Sequence, residues 1–196
     1  MTSQEKMRQT NAFAMQNGML LGLWSILAIA CSVGSLWYPV LSLPGQVAVM
    51  LSPVLAWMLT KRFRERVTSP FEPFTFGRGY LHTLLMGLYA CVWIAIAVYI
   101  YFGFFDDGAL ATAYVNYLSS PEVAPQVKEL ESDPAFMQAI TATGASSLTE
   151  FFDNLHGVPP ASYSGMIIST TLFTAPIISL FIALLTMRGA RRKMQG

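Results

Sequence analysis

Charge is scarce in this sequence, and where it is missing matters more than how little there is. Residues 9–60 contain no Asp, Glu, Lys or Arg, and neither do residues 79–105 or 161–187. A soluble helix needs a polar face, so uncharged runs of this length exclude an ordinary water-solvated domain. Ionisable groups at depth mark proton-coupled pumps and transporters, and their absence from these runs weighs against that class. It leaves uniport and lipid movement open. Cysteine is almost absent too. Cys31 and Cys91 each lie inside an apolar run, which fits small packing residues and not a disulfide framework or a Cys/His zinc site. No Gly-rich phosphate loop and no nucleophile elbow is present, and no cofactor is expected.

What is there is apolar length. A membrane helix needs about 20 apolar residues to cross ~30 Å of hydrocarbon. The first run is long enough for two crossings joined at "WYPVLSLPGQ", where Pro39, Pro44 and Gly45 are expected to break the helix. The pattern predicts an all-α integral membrane protein of one membrane domain, 1–196, with four transmembrane helices near 14–37, 45–62, 80–104 and 164–187. Lys6 and Arg8 ahead of the first run resemble a signal peptide, but the apolar stretch continues past Cys31 to Val40, longer than a signal core. It is expected to be a retained span.

The charges that do occur segregate. Four spans put residues 1–10, 61–79 and 188–196 on one side, and these hold eleven of the twelve Lys and Arg residues, all but Lys128. Eight acidic residues lie on the other side with Lys128. Basic flanks mark the cytoplasmic face, so both termini are expected in the cytoplasm and 105–163 in the periplasm. The cluster Lys61, Arg62, Arg64 and Arg66, with Arg78, then reads as a topological stop; the sharper alternative is a contact for lipid headgroups or an anionic partner. Trp37, Tyr38, Trp57, Tyr80, Tyr99 and Tyr101 gather near the expected interfaces as an aromatic belt, not as a stacking surface for nucleic acid.

Residues 105–163 are expected to form a helical cap of short amphipathic helices between spans three and four. Asp106 and Asp107 suit the start of a helix better than the end of one. "ALATAYVNYL" follows, then starts at Ser120–Pro121 and Asp133–Pro134, then a capping-box pattern from Ser147 to Glu150. The cap either covers the bundle or docks a partner.

Three sets of residues are candidates for chemistry. Glu150, Asp153 and His156 recur at intervals of three on one helical face, a spacing that suits a metal or proton transfer. Acidic residues on a surface helix are also ordinary. Pro53 and Pro176 interrupt spans two and four, and Thr170, Thr171 and Thr174 surround the second break. These hydroxyls repair the kink or line a groove for a lipid or small solute. His82, in the first turn of span three, is expected to be an interfacial polar residue. Gly18 and Gly22 form a small-xxx-small pattern that allows close helix packing, first within the chain and alternatively with a second copy.

The stretches "LTKRFRERV" and "FTFGRGYLHTLLMGLYACVWIAIAVYIYFGFFDDG" resemble the bacterial membrane proteins catalogued as domain of unknown function 4199. Thr60–Arg62, Phe76–Gly79 and Tyr99–Asp106 match that pattern, with Thr75 in place of serine and Gly79 in place of alanine. The resemblance implies four spans and a bacterial inner-membrane location, and it assigns no role to any residue. The leading functional expectation is a non-enzymatic accessory or scaffold subunit of an envelope complex, with membrane lipids and other envelope proteins as partners. The alternatives are a carrier or binding protein for a lipid or small solute, and a membrane enzyme using Glu150, Asp153 and His156.

Overall fold

The computed structural model describes residues 2–69 and 72–189. Arg191, Arg192 and Lys193 of the basic flank lie outside the described residues. Four long helices carry the fold: α1 (Ser3–Gly34), α2 (Ser42–Val67), α3 (Phe76–Phe104) and, after four short helices, α8 (Pro160–Thr186). Each is long and apolar enough to cross a membrane, α2 being counted from a 3-10 turn at Pro39–Leu41. The short helices are α4 (Ala109–Leu118), α5 (Ala124–Glu131), α6 (Pro134–Thr141) and α7 (Leu148–Asp153). Apart from one isolated bridge between Phe74 and Arg188, the described residues contain no β-structure. This is an all-α membrane protein with four candidate spans.

Local chemistry sets the helix ends. Thr2 and Glu5 form a complete capping box, with Thr2 N–H donating to Glu5 Oε2 at 2.7 Å and Glu5 N–H to Thr2 Oγ1 at 3.2 Å. That cap starts α1 at Ser3, well before its apolar stretch. Pro44 and Gly45 fall in the first turn of α2 and not in the preceding break. Pro44 is tolerated there because a donor in the first helical turn has no intrahelical partner to lose. Gly45 is needed for contact: a Cβ would stand 2.8 Å from Ser32 Oγ of α1.

The long helices are held together by small residues. Lipid is as apolar as a leucine side chain, so no hydrophobic drive pulls spans together; close packing and interhelical hydrogen bonds must do it. α3 lies between α1 and α8 and makes its main contacts with both. Thr10, Ala14, Gly18 and Gly22 are buried at every fourth residue of α1. A Cβ at Gly18 would come within 2.5 Å of Tyr89 Cβ and 2.8 Å of the Met86 carbonyl; one at Gly22 would lie 2.9 Å from Trp93 Cβ. The small-xxx-small pattern is thus used within the chain. A second ladder faces α8, with Gly79, Thr83, Gly87, Cys91 and Ala95 on α3. Gly79 abuts Ala183 and Thr186, Gly87 abuts Ala175, and Ser164 Oγ donates to the Ala95 carbonyl at 2.9 Å. Leu23, Leu27, Met50, Phe173, Phe181 and Leu185 point outward, as a lipid-facing surface requires.

At the basic end the bundle is tied shut. Phe63 and Phe74 are fully buried and pack edge to face, and the Phe74–Arg188 bridge joins the loop before α3 to the chain after α8. At the acidic end, Asp106 Oδ1 accepts the Leu110 N–H at 3.1 Å, so it caps α4 as expected of a carboxylate at a helix start. Asp133 likewise caps α6 through the Ala135 N–H. The expected start at Ser120–Pro121 is corrected: residues 121–123 form a turn and α5 begins at Ala124, with Pro125 in its first turn. The Ser147–Glu150 box closes on one side only. Ser147 Oγ accepts the Glu150 N–H at 3.1 Å, but the Glu150 carboxylate bonds Ser146 instead.

Substituting Gly18 by Leu is expected to destabilise the bundle by about 1–3 kcal/mol, because its nearest obstacles include backbone that cannot swing aside. Gly165→Ala, where a Cβ meets nothing within 4 Å, should be neutral or slightly stabilising. Thermal unfolding in detergent micelles compares the two; equal effects would contradict the packing described.

Candidate functional site

Glu150, Asp153 and His156 share a short stretch of chain, but their bonds run apart. Ser146, through its hydroxyl and its N–H, engages the Glu150 carboxylate and holds its pKa below the usual range. The His156 ring donates from Nδ1 to the Asp153 carbonyl at 2.8 Å and sets Nε2 3.1 Å from Thr112 Oγ1 on α4. Asp153 Oδ1 lies 3.5 Å from Nδ1 on a largely exposed side chain. Among the described residues, no group of three or more His, Cys, Asp or Glu is placed to hold a metal ion.

The candidate groove residues divide. Pro53, Thr171 and Thr174 line a cavity of about 170 Å³ at the centre of the bundle, with Thr83 and Ser179; Thr170 and Pro176 lie outside its lining. Thr171 and Thr174 donate to the carbonyls four residues earlier, Ile167 and Thr170, and not to Leu172, the carbonyl freed by Pro176. Ser179 Oγ is buried and has no hydrogen-bond partner among the described residues.

The basic cluster divides as well. Arg64 donates to the Thr186 carbonyl at 2.9 Å, closing the C-terminal end of α8, where a positive charge meets the negative end of the helix dipole. Arg78 donates to Gln9 Oε1 at 2.6 Å and lies over the Phe63 ring. Lys61, Arg62 and Arg66 remain exposed, with the Lys61 ammonium over Trp57.

His82, expected as an interfacial polar residue, is completely buried within the bundle near its basic end, stacked on Phe63 with ring centroids 4.1 Å apart. Its two ring nitrogens tie α1 to α2. Asn17 Nδ2 lies 3.1 Å from Nε2, and Thr60 Oγ1 lies 3.2 Å from Nδ1. Thr60 Oγ1 is 3.0 Å from Thr83 Oγ1, which donates to the Gly79 carbonyl. A single assignment satisfies every member: Asn17 donates to Nε2, Nδ1–H to Thr60, Thr60 to Thr83, and Thr83 to Gly79. It makes His82 a neutral structural bridge. Asn17 was the overlooked signal, being an amide in an apolar run that lipid could not satisfy.

The larger openings lie along α3 and α8 toward the acidic end. An apolar groove of about 610 Å³ runs between them, lined by Val92, Ala95, Tyr99, Gly165, Ile168 and Leu172 among others. Close to its upper end is a pocket of about 390 Å³. Phe102, Pro160 and Tyr163 of α3 and α8 line it, α4 supplies Tyr114, and Asp106 and His156 border it too. Phe102 and Tyr163 stack face to face at 3.9 Å, while Tyr114 stacks on Phe152 at 4.9 Å. Gly108, at φ +76°, leaves room for His156, whose Cδ2 would lie 2.5 Å from a Cβ there.

Four apolar helices, small-residue ladders and a capped acidic end define a multi-span α-helical membrane protein. The chain belongs to the family described as Protein of unknown function (DUF4199), which it matches over residues 12–188. No curated protein and no solved structure matches it.

Replacing His82 by Leu should strand the Asn17 amide, at a cost of roughly 1–3 kcal/mol for the group left unpaired, while Thr60 keeps its bond to Thr83. The paired change Asn17→Leu with His82→Leu should recover part of that loss. Denaturation in micelles measures the coupling, and strictly additive losses would count against the bridge. Ser179→Ala removes an unpaired buried hydroxyl and should leave stability unchanged or raise it.

Proposed function

We propose that this protein is a non-enzymatic binding protein for an amphiphile, a membrane lipid held on the α3–α8 seam. One observation carries the reading: an apolar groove between α3 and α8, open on the outside of the bundle, lies next to a polar, aromatic pocket at the acidic end. An acyl chain suits the first and a headgroup suits the second. The groove holds only a few polar atoms, and the polar groups of the pocket sit where α3 and α8 end, at the level expected of the bilayer interface.

The location we infer is a bacterial inner membrane with the basic end cytoplasmic and the pocket on the periplasmic side. The segregation of eleven of the twelve basic residues supports it. The exposed Lys61, Arg62 and Arg66 would then face anionic headgroups of the inner leaflet. The accessory-subunit reading keeps one support, the pair α5 and α6, which pack chiefly on each other and not on the long helices. Crosslinking in native membranes separates the two readings, since a subunit would carry a partner protein in stoichiometric amounts.

Gly165 gives a direct test. Its Cβ position opens on empty space in the groove wall, so Gly165→Phe should fill the groove without disturbing the helix contacts. The wild-type protein, extracted in mild detergent, is expected to retain lipid in native mass spectrometry. The variant should retain several-fold less at an unchanged melting temperature, and equal retention would overturn the groove assignment.

A further inference from the structure

We propose that the pocket at the acidic end takes a cationic amine, a primary or quaternary ammonium, with Asp106 as counter-ion and Phe102, Tyr114 and Tyr163 as walls. The inference rests on the reading of the α3–α8 seam as an amphiphile site and names the headgroup chemistry it would select.

Three observations converge. Asp106 is only 5% exposed, and its carboxylate is met by neutral donors alone, the Leu110 N–H and the Tyr101 hydroxyl, with no cation within salt-bridge distance among the described residues. A buried charge ordinarily requires a partner of opposite sign, and here the cavity beside Asp106 is where one would stand. Second, the walls are aromatic. The rings of Phe102, Tyr114 and Tyr163 border the same cavity, and aromatic faces attract ammonium groups. Third, the pocket has no Lys or Arg to receive an anion; Asp107 adds a second carboxylate to its lining. A phosphate entering alone would meet two negative charges with only His156 beside them. Of a zwitterionic headgroup, the ammonium enters and the phosphate stays at the rim. The surrounding segment reinforces this choice, since Lys128 is its one Lys or Arg among eight acidic residues. That field concentrates cations at the mouth.

The amine has two sources, a lipid headgroup or a soluble amine, and the full-length protein in detergent distinguishes them. Lipids of identical acyl chains carrying ethanolamine, choline or glycerol headgroups are offered in competition, with retention read by native mass spectrometry. An ammonium headgroup should be preferred over glycerol by about tenfold, the scale of one well-formed charge contact. Asp106→Asn keeps the oxygen that caps α4 and removes the charge, so it should abolish the preference while glycerol lipid is still retained. Equal retention of the three headgroups by the wild type, or a preference that survives Asp106→Asn, overturns the proposal. Should Asp106→Asn fail to fold, Tyr114→Leu takes its place: a several-fold loss of the choline preference supports the aromatic wall, and an unchanged preference overturns it. Free choline and ethanolamine, titrated against wild type and Gly165→Phe, identify the source. Binding of the free amine that survives the filled groove assigns a soluble ligand, and binding only of the lipid assigns the headgroup. If no lipid is retained at all, the amphiphile reading fails alone, and the free-amine titration still decides the pocket's chemistry: saturable binding lost in Asp106→Asn upholds it and none overturns it.

Discussion

Gly18 and Gly22 of α1 lie so close to α3 that no side chain fits between the backbones; Gly79 brings α3 nearly as close to α8, where a Cβ would stand 3.2 Å from Thr186 Oγ1, and Gly87 meets Ala175 at ordinary contact distance. In a solvent as apolar as the helices themselves, this close approach is what association depends on, since dispersion contacts accumulate only where surfaces meet without gaps. It also makes α3 the axis of the molecule. α2 reaches the bundle mostly through α1, and the loop before α3 is pinned to the end of α8 by the Phe74–Arg188 bridge. The positions of the central cavity, the seam groove and the acidic-end pocket all follow from where these ladders bring α3 and α8 together.

The two ends of the bundle are built differently. At the basic end, Phe63, Phe74 and His82 fill the interior, and the polar groups satisfy one another through Asn17, Thr60 and Thr83. A hydrogen-bonded chain of this kind is strong in a low dielectric because each member is paired. Arg64 finishes the seal by occupying the Thr186 carbonyl. At the acidic end the side chains stand apart. Asp106 is buried with only neutral donors beside it, and aromatic rings border open volume. Proteins place adaptable or costly features where they bind something, and on the reading proposed above that contrast favours the acidic end for the amphiphile's headgroup.

The long helices were legible because their signal is a sheer absence, the missing charges of 9–60, 79–105 and 161–187. The Asp133–Pro134 start was legible for a local reason, a cap and a proline in adjacent positions. The Ser120–Pro121 start misled because Pro125 offers a rival first turn four residues on, and the chain uses it. The burial of His82 was hidden by distance along the chain: its partners Asn17 and Thr60 lie 65 and 22 residues away. Pro53, Thr170, Thr171, Thr174 and Pro176 were singled out for their types; Pro53, Thr171 and Thr174 border the central cavity, and Thr170 and Pro176 do not. The acidic-end pocket was not singled out, because it needs the end of α3, the start of α8 and the loop after α7 brought together, a juxtaposition that no local pattern encodes.

The geometry also bears on whether a bound amphiphile would be carried or merely held. Passage through the bundle would have to cross the central cavity of about 170 Å³ and then the closed end beneath it. There Thr60 and His82 are fully buried, and opening a path would leave several polar groups unpaired at once. The ladder between α3 and α8 resists separation for a further reason: its contacts are short range, so a small displacement forfeits much of their energy together. Access from the side has neither obstacle, because the seam groove already faces outward along α3 and α8. On the reading proposed above, the lipid therefore enters and leaves laterally through the membrane face of the seam, and the polar bridge at the basic end serves to keep the bundle closed behind it.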